Sequence, residues 1–310
     1  MKGVFLDRKT FPETISTKPI ASLLSDYREY DVTTAQQTIE RIGEADLVIT
    51  NKVVIDKPVI EACSSLKLIC VTATGLNNID LVACKAAAIE VRNVENYGAS
   101  TVAQHTMALM LMLATNAHHY RDDVSRGKWT NSDIFCLNHY PIMELSGKTL
   151  GIVGVGGIAN KVIEAARGLG MKVLLSERKG AQHVRPGRVA FSDMLATSDV
   201  VSLHCPLTES TSGLISKKEL QLMKSHALLI NCGRGGLVDE LDLVQALVSK
   251  EIGGAGFDVA SVEPIEANNP LMIASLPNLI ITPHSAWAST EAMNRIIAMV
   301  AEHIAVFQTS

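Results

Sequence analysis

Three polar residues, Arg234, Glu263 and His284, each follow a short apolar run in the second half of the chain. Arg234 lies in Asn231-Cys232-Gly233-Arg234-Gly235-Gly236, Glu263 in Glu263-Pro264, and His284 in Thr282-Pro283-His284. A planar guanidinium can grip a carboxylate through two bonds and also reach a ketone oxygen. An imidazole titrating near neutrality can hand a proton to a carbonyl oxygen as hydride reaches its carbon. A carboxylate beside that imidazole fixes its tautomer and stabilises the imidazolium. Taken singly, each has an ordinary explanation: a loop salt bridge, a solvated turn residue, a strand-end cap. Their common position at strand ends makes a joint chemical role the better reading.

A second constellation precedes them. Gly154, Gly156 and Ala159 in Gly151-Ile152-Val153-Gly154-Val155-Gly156-Gly157-Ile158-Ala159 fit G-x-G-x-x-[G/A], with an apolar run before and a helical pattern after. The first glycine permits a tight turn and the second lets backbone approach a pyrophosphate. The third position must be small for helix–strand packing. N–H groups at the helix start attract the anion. Glu177 closes the next apolar run, 23 residues past Gly154, where an acid accepts hydrogen bonds from an adenosine ribose. Its charge opposes a 2′-phosphate, so NAD is expected over NADP. Arg178 and Lys179 follow it directly and soften that preference.

The elements that must carry these residues alternate along the whole chain, an α/β rhythm. Strands are expected at 4–6, 47–50, 68–71 and 91–93, with helices near 35–42, 57–64 and 81–88, the last capped by Asp80. A turn-rich stretch at 93–98 marks a boundary. A long apolar helix at 100–115 follows, then an irregular arm at 120–146 containing Trp129 and Phe135. Six further strands are expected at 149–153, 172–176, 200–204, 227–231, 255–259 and 279–282. Their crossover helices are expected at 159–169, 191–196, 216–223 and 240–249. Runs apolar on both faces suit a doubly wound parallel sheet, which binds ligands outside its strands' carboxyl ends. A last amphipathic helix at 290–306 is expected to return to the first part of the chain.

Composition bounds the rest. With 310 residues, 47% hydrophobic and 19% charged, the chain suits two globular domains. A net charge of −4 supplies no general grip on nucleic acid. The longest apolar run, Met107 to Ala114, is eight residues against the roughly 20 of a bilayer span, so no membrane partner is expected. Charge at Lys2 and Asp7 argues against a secretory leader. The six cysteines lack CxxC pairs, so free thiols and a cytoplasmic location are expected. No His/Cys/Asp cluster has zinc spacing, so no metal is expected. The other eight histidines, His118 and His119 included, read as ordinary.

The chain resembles the D-2-hydroxyacid dehydrogenases over nearly all its length. The resemblance is carried by Ala73-Thr74-Gly75-Leu76-Asn77-Asn78-Ile79-Asp80, Val102-Ala103-Gln104-His105, the Gly154–Ala159 turn and His204-Cys205-Pro206-Leu207-Thr208. It continues through Asn231–Glu240, Gly256-Phe257-Asp258-Val259, Glu263-Pro264 and Thr282-Pro283-His284. Gly170–Gly180 and His284–Ser289 are similar to the glycerate dehydrogenase (hydroxypyruvate reductase) branch.

The resemblance implies a Rossmann doubly wound sheet, residues 99–287, inserted in a flavodoxin-like α/β substrate domain, residues 1–98 plus 288–310. It implies a homodimer through the helix and arm at 100–145. It implies catalysis by Arg234, Glu263 and His284, with the backbone of Thr74, Gly75 and Leu76 holding the substrate carboxylate. Cofactor contacts would come from Val102, Gly154, Gly156, Gly157, Ile158, Ala159, Glu177, Arg178, Cys205 and Pro206. Cys232, Gly233, Arg234, Asp258, His284 and Ala286 complete that set, with Asp258 facing the nicotinamide amide. Glu177 stands where much of the family has Asp. Lys224-Ser225-His226 departs from the usual Met-Lys-Pro, at a surface turn where no effect is expected.

The expected reaction is therefore NAD-linked interconversion of a short 2-keto acid and its D-2-hydroxy acid. Hydroxypyruvate/D-glycerate and glyoxylate/glycolate are the favoured pairs. D-Lactate and phosphoglycerate are alternatives within the family. The formate branch, with Gln at the Glu263 position, is disfavoured. A dinucleotide-sensing corepressor-like protein is the alternative from another class, and a panel of 2-keto acids with NADH separates them.

Overall fold

The computed structural model describes residues 1–309; Ser310, the last position of the expected substrate domain, lies outside the described residues. The chain divides into two compact units, Met1–Gly98 with Ala288–Ser310, and Ala99–Trp287.

The first unit is built on β1 (Lys2–Phe5), β2 (Asp26–Glu29), β3 (Leu47–Thr50), β4 (Leu68–Val71) and β5 (Glu90–Asn93). They pair in parallel in the order β2-β1-β3-β4-β5, the flavodoxin-like order. Every residue of β3 and β4 is buried, which is why both read as continuous apolar runs. β2, Asp-Tyr-Arg-Glu, is a charged edge strand that carries no such signature. Asp80 accepts the backbone N–H of Ala83 and starts the Leu81–Ala86 helix. The Thr290–Thr309 helix belongs to this unit and buries Met293, Ile296, Ile297, Val300 and Ile304. Arg92 Nη1 donates to His303 O at 2.8 Å, and Arg295 Nε to Tyr97 O at 2.8 Å.

The second unit opens with the Ala99–Thr115 helix, whose Leu109, Met110 and Ala114 are at most 1% exposed. At about 1.5–3 kcal/mol for a fully buried large apolar side chain, this stripe anchors the helix to the sheet behind it. The irregular arm expected from residue 120 begins later: Ala117–Ser125 is helical, after Asn116 takes left-handed backbone at φ +51°. Six strands follow: β6 (Thr149–Val153), β7 (Lys172–Leu175), β8 (Val200–Leu203), β9 (Leu228–Asn231), β10 (Gly254–Phe257) and β11 (Leu279–Ile281). All pairs are parallel and the order is β11-β10-β9-β8-β6-β7. Val189 adds one isolated parallel bridge to Ser176, just past β7. The order reverses between β6 and β8, the switch point at which such sheets bind ligands. Among the described residues no helix is long and apolar enough to cross a membrane.

The turn at 224–226 is not neutral. Lys224 Nζ and His226 Nε2 each lie 2.9 Å from Oδ1 of buried Asp199, whose Oδ2 accepts Thr149 N–H at 2.8 Å. Two residues of this turn thus supply nitrogen partners to a carboxylate just before β8.

Candidate active site

At the switch point β6 runs into a turn in which Gly154 has φ +88°. A Cβ there would stand 2.6 Å from Cys205 N and 2.8 Å from Cys205 Cα. The glycine is required twice, by its backbone angle and by the close approach to the chain leaving β8. Gly156, by contrast, has no heavy atom within 4 Å of where its Cβ would be. That open space lies at the N-cap of the Gly157–Gly168 helix, which no side chain caps. Ala159 is fully buried one turn in, with Val162 and Ala166. A cradle bare of Cβ atoms at a helix start suits a pyrophosphate, so these residues fit a dinucleotide. Gly157 is exposed and Ile158 half-buried at the same turn.

Glu177 follows β7 and is 4% exposed. Its carboxylate is held by Arg185, through Nε at 2.7 Å and Nη2 at 2.5 Å, and by the backbone N–H of Arg178 at 2.9 Å. The guanidinium keeps the carboxyl well below the usual range, at about 2. Lys179 does not turn toward this place. Its Nζ bonds Glu219 at 2.9 Å and Leu214 O at 3.0 Å, while Arg178 is exposed.

The three reacting candidates leave three neighbouring strands, β9, β10 and β11, at one edge. His284 Nδ1 lies 2.6 Å from Glu263 Oε2. Glu263 Oε1 accepts Ala260 N–H at 3.0 Å, which holds the carboxylate against its own loop. Arg234 is exposed, with Nη1 on Gly233 O at 2.8 Å. Asn231 ties its loop down, accepting Gly233 N–H at 3.0 Å and donating to Arg234 O at 2.8 Å. The Arg234 and Glu263 loops meet at Gly235. A Cβ there would fall 2.0 Å from Ala260 C and O. Glu240 fixes the far side, accepting Ser261 N–H at 2.6 Å, Ser261 Oγ at 2.7 Å and Asn269 Nδ2 at 2.7 Å.

His284 has φ +51°, a left-handed backbone that non-glycine residues take at some cost. Asp258, 1% exposed, holds the chain beyond it. Oδ1 accepts Ser285 N–H at 3.0 Å and Thr282 Oγ1 at 2.5 Å, and Oδ2 accepts Ala286 N–H at 2.8 Å. His105 Nε2 stands 2.9 Å from Thr282 Oγ1 and 3.5 Å from Asp258 Oδ1. Read from sequence as ordinary, His105 is part of this network. The advance sign is its place in the Val102-Ala103-Gln104-His105 motif, to which no role for the histidine is attached. Asn231, Glu240 and Arg185 also carried no role in the sequence reading.

The remaining candidates differ in burial. Val102, Cys232 and Ala286 are buried, Cys205 is half-buried and Pro206 exposed. Burial pushes the Cys232 thiol up to about 12. In the first unit Thr74, Gly75 and Leu76 form the loop beyond β4. It is fastened by Thr74 Oγ1 to Val94 O at 3.0 Å and Asn93 Nδ2 to Thr74 O at 2.7 Å. The six cysteines are all free. Among the described residues no group of three or more His, Cys, Asp or Glu side chains could hold a metal ion.

Comparison with known proteins gives concordant findings. Residues 107–286 match the model described as D-isomer specific 2-hydroxyacid dehydrogenase, NAD binding domain. The chain is 41% identical to a glycerate dehydrogenase of Methylorubrum extorquens, covering 99% of this chain and 96% of that one. It is 37% identical to a hydroxypyruvate reductase of Blautia hydrogenotrophica, over 91% and 88%. Among solved structures it is similar to an acyclic imino acid reductase in complex with NADPH and D-Arg. That match has a TM-score of 0.84 at 28% identity and covers 100% and 97% of the two chains.

Proposed function

The chain belongs to the D-isomer specific 2-hydroxyacid dehydrogenase family, and on that premise we propose that it reduces hydroxypyruvate to D-glycerate, with glyoxylate as second substrate. The observation that carries the reaction is the His284–Glu263 contact of 2.6 Å, beside the Arg234 loop and on the ligand edge of the sheet. The glycerate dehydrogenase and hydroxypyruvate reductase relatives support the substrate.

A bound nicotinamide dinucleotide would supply hydride to the keto carbon. The Gly154–Ala159 turn would hold its pyrophosphate, and Glu177 its adenosine ribose, so NADH is the proposed partner. Arg234 aligns the substrate carboxylate and ketone through its two-pronged guanidinium. The Thr74–Leu76 backbone is proposed to share the carboxylate. The imidazolium form of His284 gives its Nε2 proton to the carbonyl oxygen, while Glu263 holds the ring through Nδ1–H and offsets the imidazolium charge. In the oxidative direction the same atom takes the hydroxyl proton back. Asp258 and Ala286 are proposed to meet the nicotinamide amide.

The arm beyond Ser125 exposes Trp129 (52%), Phe135 (89%) and Ile142 (64%), which supports a homodimer built on this segment. A cytoplasmic location is part of the same reading.

The test is spectrophotometric oxidation of NADH with hydroxypyruvate, glyoxylate, pyruvate and 3-phosphohydroxypyruvate. Highest kcat/KM on hydroxypyruvate is expected. A clear preference for pyruvate or the phosphorylated acid would replace the substrate, and inertness toward all four would remove the proposal.

A further inference from the structure

At the end of β7 protein donors occupy the acceptor positions of the Glu177 carboxylate that a ribose would use. Oε1 takes Arg185 Nη2 at 2.5 Å and Arg178 N–H at 2.9 Å; Oε2 takes Arg185 Nε at 2.7 Å and Arg185 N–H at 3.2 Å. A carboxylate offers about four lone-pair sites, and these donors fill them. The guanidinium engages fork against fork, the strong geometry for such a pair.

Arg185 is delivered to this place by the fold. Val189 bridges Ser176, Glu177 N–H donates to Val189 O at 2.8 Å, and Val189 N–H donates to Leu175 O at 3.0 Å. Arg188 Nη1 adds a bond to Ser176 O at 2.7 Å. The segment is therefore pinned beside β7. The Arg185 side chain remains 53% exposed, while that of Glu177 is 3% exposed. In this fold the acid after the second strand marks the adenosine 2′-position, and an arginine near it accommodates a 2′-phosphate. Here both stand at one position, bound to each other.

We propose that Arg185 is a specificity-determining residue of the cofactor site, exchanging its guanidinium between Glu177 and the 2′-phosphate of a phosphorylated dinucleotide. The inference rests on the dinucleotide reading above. An unphosphorylated ribose gains Glu177 only by displacing Arg185 bonds. A 2′-phosphate offers the planar guanidinium a second bidentate acceptor, and the Arg178 and Arg185 backbone N–H groups still hold Glu177. The Glu177 charge keeps two backbone donors, and the half-exposed Arg185 guanidinium stands between it and an incoming phosphate. Arg185 thus moderates the selectivity that Glu177 alone would impose.

The test is calorimetric binding of 2′,5′-ADP and 5′-AMP to the intact protein, with kcat/KM for NADH and NADPH alongside. In Arg185→Ala, 2′,5′-ADP should weaken at least about tenfold while 5′-AMP holds or tightens, and the NADH/NADPH ratio should rise by a similar factor. Glu177→Gln should shift both readings the opposite way. Arg185→Met keeps the aliphatic stem and should repeat the alanine result if the shorter variant fails to fold. Equal weakening of both nucleotides would make Arg185 a prop for its loop and overturn the proposal. Binding of neither nucleotide by the wild type would remove the dinucleotide reading, and this inference with it.

Discussion

His284 Nδ1 lies 2.6 Å from Glu263 Oε2 although the two residues leave different strands, β11 and β10. With Nδ1 on the carboxylate, Nε2 is the ring nitrogen left for the proposed proton transfer. Replacing His284 by Ala should lower reductive turnover by roughly 10² or more while NADH still binds. Turnover under saturating hydroxypyruvate, with NADH binding followed by fluorescence, checks both halves. Near-normal turnover would take His284 out of the chemistry.

Arg234→Lys keeps the charge and loses the fork. The cost should fall on kcat/KM for the keto acid, about 2–4 kcal/mol for a lost hydrogen-bonded charge contact. Steady-state kinetics against hydroxypyruvate measure it. An unchanged kcat/KM would place the arginine away from substrate.

Gly235→Ala forces a methyl to 2.0 Å from the Ala260 backbone, where no flexible side chain can give way. Destabilisation of about 3 kcal/mol or more is expected, at the upper end for overpacking. Gly236→Ala is the control, because the nearest atom to its new Cβ is the end of the flexible Leu207 side chain, at 3.2 Å. Urea midpoints of the two variants should separate clearly. Equal midpoints would mean that the Arg234 and Glu263 loops do not depend on this contact.

Asp199 gives a pH-dependent prediction. Burial pushes its carboxyl up, but hydrogen bonds from Lys224, His226 and Thr149 N–H outweigh burial and hold it at about 2, below the ordinary 3.8. A carboxyl depressed in the folded state stabilises above its unfolded pKa and stops doing so as pH falls through the folded one. Asp199→Asn should therefore cost about 1–3 kcal/mol at neutral pH. The gap to wild type should close as pH falls from about 4 to about 2. Unfolding curves across that window test the sign, and a gap that widened in acid would reverse it.

The parallel strands were legible because β3, β4, β8 and β9 are buried on both faces and written as mostly apolar runs. β2 was not, since an edge strand of Asp-Tyr-Arg-Glu has no apolar run to read. Arg234, Glu263 and His284 could be grouped without side-chain geometry, because parallel strands put all their carboxyl ends at one edge. Arg185 could not be. It lies eight residues beyond Glu177, and only the return of the chain through Val189 joins them. His105 was hidden differently: it sits in a polar stretch, Gln104-His105-Thr106, whose spacing gives no hint that Thr282 and Asp258 await it. The Lys224 and His226 pairing escaped for the same reason, since the partner Asp199 opens a strand elsewhere in the chain.

The Val189 return also governs what the sheet of the second unit can do to other molecules. An open edge strand invites another chain to add to it, the usual route to fibrils and insoluble aggregates. Beside β7 the two backbone bonds of Val189, to Leu175 O and from Glu177 N–H, occupy an acceptor and a donor that would otherwise recruit a stranger. In the first unit the edge strand β2 does the equivalent with side-chain charge, three of its four residues being ionisable at neutral pH. Loosening residues 185–189 would therefore be felt first as lost solubility at high concentration, and charge-neutral substitutions in β2 should have the same effect.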